Sequence, residues 1–359
     1  MTPLVSATID TSALRHNLGI VRRRAPKSRV MAVIKANAYG HGLVGTAQAL
    51  DAADLFAVAR VDEGLALRQE GIRNKILLLE GVFDSDQLHA AATAQFELVV
   101  HEREQIELLR AAPAPARFKV WLKFDSGMNR LGFKGADFIA AHAALRELGC
   151  IELPVNLFTH LASADMPDLS TTTEQLDRFA NITSRLPGER SIANSAGMMQ
   201  FPEAQADWVR PGLLLYGVSP FAGLIGADHG LRPVMTLHSH VIAVKGLSAG
   251  EQVGYGGAWI ANRATRLAIA AIGYGDGYPR NLASGAPVLV NGERAPLAGR
   301  VSMDMIGIDV TDLKRPAQLG DPVVLWGEGM PVEEVAVWAS TIPYELLCGI
   351  TQRVSSLQI

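Results

Sequence analysis

Between about Arg29 and Gly217 the chain repeats one pattern: a short apolar run, often β-branched, then a longer stretch whose apolar residues recur at spacings of three and four. The runs suit strands buried on both faces and the longer stretches suit amphipathic helices, so the alternation predicts βα units around a parallel sheet. The strand runs are RVMAVIKA from Arg29, LFAVAR from Leu55, KILLLEG from Lys75, FELVVH from Phe96, FKVWLKFD from Phe118, LPVNLFTH from Leu153, RSIANS from Arg190 and WVRPGLLLYG from Trp208. Helical spacing fills intervals such as 61–72, 103–112 and 136–149. Eight runs are the count of a closed (β/α)8 barrel. An open doubly wound sheet normally brings a Gly-rich dinucleotide turn after its first strand, whereas this strand runs into KANAYGHG.

Barrel chemistry collects at the C-terminal ends of the strands. The residues closing the runs are Lys35, Arg60, Glu80, His101, Asp125, His160, Asn194 and Arg210, polar groups at the ends of apolar interiors. Past Leu231 the texture changes to Val- and Gly-rich alternation with turn signals, as in PVMTLHSHVIAV and PVLVNGERAPLAG. The expected organisation is an α/β chain: an N-terminal (β/α)8 barrel over residues 1–228 and a mainly β domain over 229–359. The Gly-rich segment 221–230 is read as the linker.

Composition narrows the function. A length of 359 residues fits about two domains, and 48% hydrophobic residues exclude a disordered or fibrous chain. Lys and Arg number 33 against 36 Asp and Glu, so the net charge of −3 gives no cationic field for nucleic acid or a membrane surface. A small-molecule partner is favoured. Cys150 and Cys348 stand far apart, outside any CxxC pair, and neither an export signal nor a long apolar run is present, so a cytoplasmic location is expected. His238 and His240 have HxH spacing but fall in the β region, where alternate strand residues explain them and no metal is expected.

Lys35 ends a strand of Val, Ile, Met and Ala, a setting that would desolvate its ammonium and favour a nucleophilic amine. An isolated strand-end lysine more often snorkels to the rim. Here Asn37, Tyr39, Gly40, His41 and Gly42 follow at once and put hydrogen-bonding groups and flexible backbone beside the amine. In the last unit Arg210 precedes Pro211 and Gly212, where barrels often seat phosphate, and Ser195 supplies a second donor. Amine, phosphate seat and arginine in one barrel mouth suggest pyridoxal 5′-phosphate.

The segment KANAYGHG resembles the cofactor-lysine motif of bacterial alanine racemases. The resemblance continues through WLKFDSGMNRLGF, ANSAG, DWVRPGLLLYG, VGYGGAW, GYGDGYPR, GRVSMDM and PYELL, in the family's order and across almost the whole chain. It implies the same barrel and β domain. It also implies interconversion of L- and D-alanine, for peptidoglycan or for alanine catabolism, by two bases on opposite faces of the cofactor-bound substrate. Lys35 is then both the Schiff-base lysine and the base for D-alanine, and Tyr255 is the base for L-alanine. A free tyrosine ionises near pH ~10, so Tyr255 needs a relay, which His160 and Arg210 match. Arg210 would also keep the cofactor's ring nitrogen unprotonated.

By the same resemblance Arg130 contacts the cofactor phenolic oxygen and the substrate carboxylate. Lys123 matches a lysine often carbamylated to orient that arginine, although an ordinary strand lysine paired with Asp125 weighs equally. Tyr39, Asn194, Ser195, Gly212, Leu213 and Tyr344 join the cofactor-binding set, while Met303, Asp304 and Tyr274 line the substrate path. A homodimer with shared active sites is implied as well. Asn129 departs from the Gly or His expected before Arg130. Tyr255 in VGYGG and the compact length argue against a barrel decarboxylase of basic amino acids. A noncatalytic pyridoxal-phosphate carrier would resemble the barrel alone. A broad-specificity racemase would be exported.

Overall fold

In a computed structural model of the chain, residues 3–112 and 115–359 are described. The chain divides into two compact units. One comprises Arg15–Ala38 and Leu43–Leu215, and the other Met1–Leu14, Tyr39–Gly42 and Tyr216–Ile359.

The first unit is the barrel. After β1 (Ser6–Ile9), which belongs to the other unit, its strands are β2 (Arg29–Val33), β3 (Leu55–Val58), β4 (Ile76–Leu78), β5 (Glu97–Val100), β6 (Phe118–Lys123), β7 (Ile151–Phe158), β8 (Arg190–Ser191) and β9 (Trp208–Val209). They close in that order, each parallel to the next, and β9 returns to β2 with Val30 opposite Val209. All the residues of β3, β4 and β5 are buried, as strands covered on both faces must be. The helices expected from spacing appear at Val61–Gln69, Arg103–Arg110 and Gly135–Arg146.

All eight expected strand runs contain a barrel strand, although RSIANS is strand only at Arg190–Ser191. β7 begins at Ile151, two residues ahead of the expected run. The last run is strand only at Trp208–Val209, and Leu213–Tyr216 coil into a single 3-10 turn beyond Pro211 and Gly212.

Two carboxylates at strand starts, Glu97 and Glu189, each receive an indole N–H. Trp121 donates its Nε1–H to Glu97 at 2.8 Å, and Trp208 donates to Glu189 at 2.8 Å. The two indoles meet edge to face at 6.0 Å, and Arg29 bridges Glu189 while lying 4.3 Å over Trp208. Burial pushes the Glu97 carboxyl above the usual carboxylate range, with the Trp121 hydrogen bond opposing it.

The second unit is built on β10 (Met235–Leu247), long enough to serve several partners, with β11 (Gln252–Val253) and β12 (Trp259–Ile260) forming a two-stranded ribbon. The remaining strands are β13 (Thr265–Ala270), β14 (Pro287–Val290), β15 (Glu293–Pro296), β16 (Ile306–Asp309), β17 (Pro322–Trp326) and β18 (Ser355–Gln358). The sheet order is β15-β14-β17-β10-β1-β18, while β13 pairs with both β10 and β16.

Two boundary expectations change. β1 lies in this sheet, antiparallel to β10 and parallel to β18, so the barrel does not take in the chain from residue 1. The expected linker is also anchored within this unit, because Glu333 Oε1 accepts N–H bonds from Ser219 at 2.9 Å and Gly226 at 2.8 Å. His238 and His240 are alternate residues of β10, and His240 Nδ1 lies 3.1 Å from the Leu4 carbonyl. Among the described residues no helix is long and apolar enough to cross a membrane.

Candidate active site

The barrel mouth brings together the residues closing the strands. Lys35 follows β2 and is half-buried, less enclosed than its apolar strand suggests. Behind it the backbone turns the wrong way for L-residues: Ala36, Asn37, Ala38 and Tyr39 all have φ of 52° or 53°. Such a left-handed turn costs about 1–2 kcal/mol per residue, and strain of this kind persists only where the surroundings over-determine it. Gly40 continues with φ of 80°, and a Cβ there would come within 2.1 Å of the Leu347 carbonyl oxygen, so the position requires glycine.

Arg210, 3% exposed, closes β9. Its Nη1 donates to Ser191 Oγ at 2.7 Å, and its Nη2 donates to the carbonyls of Thr159 at 2.6 Å and Ile192 at 2.9 Å. The guanidinium lies 4.0 Å over the Phe158 ring. Burial lowers its pKa to about 9, which leaves it charged near neutral pH.

Its remaining neighbour is His160, with Nη2 and Nδ1 3.3 Å apart, the pairing that the resemblance implies. Burial, reinforced by Arg210, Lys123, Arg130 and Lys35, holds the His160 pKa well below the ordinary histidine value. The imidazole is therefore neutral. Because Arg210 can only donate, Nδ1 accepts and the ring proton is assigned to Nε2.

Lys123 ends β6 and is 7% exposed, with Nζ 5.9 Å from the same Phe158 ring. Burial, then Arg130, Arg210 and Lys35, lowers its pKa to about 8, with Asp125 opposing. Arg130 is exposed. Asn129 before it has φ of 57°, a conformation asparagine tolerates, and its N–H donates to Asp125 Oδ1 at 3.0 Å. That explains how Asn stands where Gly or His was expected. Asn194 caps the short helix Ser195–Gln200 by accepting the Gly197 N–H at 2.9 Å. Ser195 Oγ accepts the Gly212 N–H at 3.0 Å, joining two members of the expected phosphate set, and Leu213 follows, buried.

The other unit holds the remaining candidates. Tyr39 is buried, stacked 4.7 Å from Tyr216 and 5.7 Å from Tyr344. Burial raises its pKa far above the ordinary tyrosine value, which keeps the hydroxyl protonated as a donor. Tyr255 is 72% exposed and Met303 52%, and Tyr274 is exposed as well. Arg353 joins two loops, pairing with Asp276 at 3.2 Å and with Asp304 at 2.8 Å.

Sequence reasoning missed Thr159, Ser191, Tyr216 and Arg353, which act through carbonyls, a hydroxyl, ring stacking and loop bridging. It also missed Glu63, whose side chain accepts the Ala36 N–H at 2.6 Å. The one signal for it was position: Glu63 stands three residues after Arg60, the spacing of a helix capping box.

A closed parallel barrel with this cation-rich mouth, together with a separate β unit, defines a two-domain barrel enzyme. Residues 9–220 match the family model described as "Alanine racemase, N-terminal domain", and residues 234–358 match "Alanine racemase, C-terminal domain". The chain belongs to the alanine racemase family. It is 50% identical over 359 residues to the alanine racemase of Shewanella sediminis, covering 99% of each protein. The crystal structure of the biosynthetic alanine racemase of Pseudomonas aeruginosa superposes with a TM-score of 0.96 at 45% identity, covering 100% of each chain. An alanine racemase of Bartonella henselae, described with covalently bound pyridoxal phosphate, has a TM-score of 0.88 at 31% identity over 99% of each chain.

The depressed His160 pKa has a testable sign. Near pH ~6.5 the unfolded chain binds a proton at this ring that the folded chain refuses, so the stability associated with it is full above that pH and falls as the pH drops toward the folded pKa. Nitrogen NMR of the labelled protein is expected to show a neutral ring protonated on Nε2 with no titration between pH ~6 and ~8. A midpoint near the ordinary value would overturn the assignment.

Proposed function

We propose that the chain interconverts L- and D-alanine with pyridoxal 5′-phosphate, using Lys35 and Tyr255 as the two bases. The observation that carries the reading is the charge of the barrel mouth. Lys35, Arg130 and Arg210 all press on Lys123 and His160, with Asp125 opposing them at Lys123. A basin of this sign fits a cofactor bearing a phosphate and a phenolate. Arg210, charged but bonded only to neutral groups, fits a donor to a ring nitrogen.

Lys35 would hold the cofactor covalently. Tyr39, Asn194, Ser195, Tyr344 and the Gly212 and Leu213 segment would seat it, with the protonated Tyr39 hydroxyl donating to phosphate. When bound, the cofactor supplies an electron-withdrawing ring that acidifies the substrate Cα–H. Lys35 Nζ exchanges the proton on the face that gives D-alanine, and Tyr255 Oη on the face that gives L-alanine. His160 and Arg210 relay protonation to Tyr255, Arg130 holds the substrate carboxylate, and Met303, Asp304 and Tyr274 bound its approach. Production of D-alanine in the cytoplasm, for peptidoglycan or in alanine catabolism, is part of the same reading.

Lys123 is assigned a carbamate. With a pKa of about 8, its amine is free often enough near neutral pH to add CO2: an N–C bond forms, one proton leaves to solvent, and a crowded cation becomes an anion beside Arg130. Carbon NMR after equilibration with labelled bicarbonate should show a carbamate signal that Lys123→Gln lacks. Identical spectra for the two proteins would remove the assignment.

The two bases are distinguished by solvent deuterium. Tyr255→Phe is expected to lose most racemisation but to keep exchange into D-alanine, because Lys35 still serves its own face, whereas Lys35→Ala loses both reactions. Equal loss of exchange from the two enantiomers in Tyr255→Phe would reject the facial assignment.

The same proposal includes a homodimer in which each site takes Lys35 from one chain and Tyr255 and Met303 from a second. Support comes from the family and from the exposure of Tyr255, Met303 and Tyr274. Mixing inactive Lys35→Ala and Tyr255→Phe subunits should then regain part of the activity, since one site of a mixed dimer carries neither mutation. Proven mixed dimers without activity would place both bases in one chain.

A further inference from the structure

We infer that Glu63 is a positioning residue whose carboxylate holds the left-handed turn that aims Lys35; the inference rests on the reading of Lys35 as the cofactor anchor. Glu63 lies in the first turn of the helix Val61–Gln69 that follows β3. Its Oε2 accepts the N–H groups of Ala59 at 2.7 Å and Arg60 at 3.3 Å, and its Oε1 accepts that of Ala36 at 2.6 Å.

An ordinary helix-capping role explains only the Arg60 bond, the longest of the three. The shortest reaches a residue 27 positions away, directly after Lys35. On the other side of Lys35, the Ile34 N–H donates to the Ala57 carbonyl at 3.0 Å. Both amides flanking the lysine are therefore tied to the stretch 57–63, one by sheet pairing and one by a charged side chain.

The turn needs such a tie. Four consecutive non-glycine residues sit in a disfavoured conformation. Their other supports include the Ala38 N–H to Ile34 carbonyl bond at 2.9 Å, the Leu43 N–H to Asn37 Oδ1 bond at 2.9 Å and the contact of the Tyr39 carbonyl with His41 Nδ1 at 2.9 Å. None of these reaches the first peptide of the turn. Glu63 does, with a charge-assisted bond, the stronger kind. Without it the Ala36 peptide is free to relax, and the direction of the Lys35 side chain changes with it.

The test compares holoenzyme and Glu63→Gln, which keeps the size but loses the charge and offers a donor where an acceptor is needed. Mass-spectrometric hydrogen exchange over residues 36–39 should quicken by about tenfold or more, and kcat should fall by about tenfold while KM for alanine stays within about twofold. Ala36→Gly added to Glu63→Gln should restore part of kcat, because glycine removes the left-handed penalty at the released peptide, an effect a capping role would not produce. If Glu63→Gln does not fold, Glu63→Asp retains the charge but withdraws from Ala36, and the same exchange should quicken. Borohydride reduction and peptide mapping separate the two ideas. Label on another lysine in the wild type overturns the anchor reading and this role with it. Label on Lys35 with unchanged exchange and kcat in the variant overturns this role alone.

Discussion

A guanidinium buried with only neutral partners sets the terms for everything around it. Arg210 is held by a hydroxyl, two carbonyls, an imidazole nitrogen and an aromatic face. Burying an unpaired charge is expensive, and this number of aligned acceptors is what makes it tolerable. Its neighbours share the enclosure: burial first, and then the surrounding cations with Arg210 among them, hold His160 well below its ordinary basicity and lower that of Lys123. One fixed cation thus adds to what burial imposes on two other groups and contributes to a mouth whose sign an anionic ligand answers.

The parts of the fold legible in the sequence were those in which burial is uniform. Strands covered on both faces have almost no polar interior, so their ends stand out, and Lys35, Asp125, His160 and Arg210 are placed by that contrast, while the role of His160 came from the resemblance. β1 was not legible because SATI is short and its partners, β10 and β18, lie more than two hundred residues away. The reach of the last barrel strand was overread because apolar leucines in a 3-10 turn look like strand residues in composition.

The site was legible in its side chains and opaque in its backbone. The KANAY segment contains alanines and an asparagine with nothing to announce four left-handed residues, and the carboxylate that meets the first of them comes from a different βα unit. In the β unit, Glu333 ties down a Gly-rich stretch that composition presents as a loose connection. Backbone-directed carboxylates leave little trace in a one-dimensional pattern, because their partners are peptide groups present at every position.

The indole–carboxylate pairs stand close to the charged mouth: Trp208 comes two residues before Arg210 and Trp121 two before Lys123. Ser191 Oγ joins the two levels, accepting from Arg210 and donating to the Trp208 carbonyl. Substitutions that share a partner do not add their free energies independently. Selection for heat tolerance, by nature or in the laboratory, therefore meets the chemistry through one serine, and a change at either indole is constrained by what Arg210 requires of it.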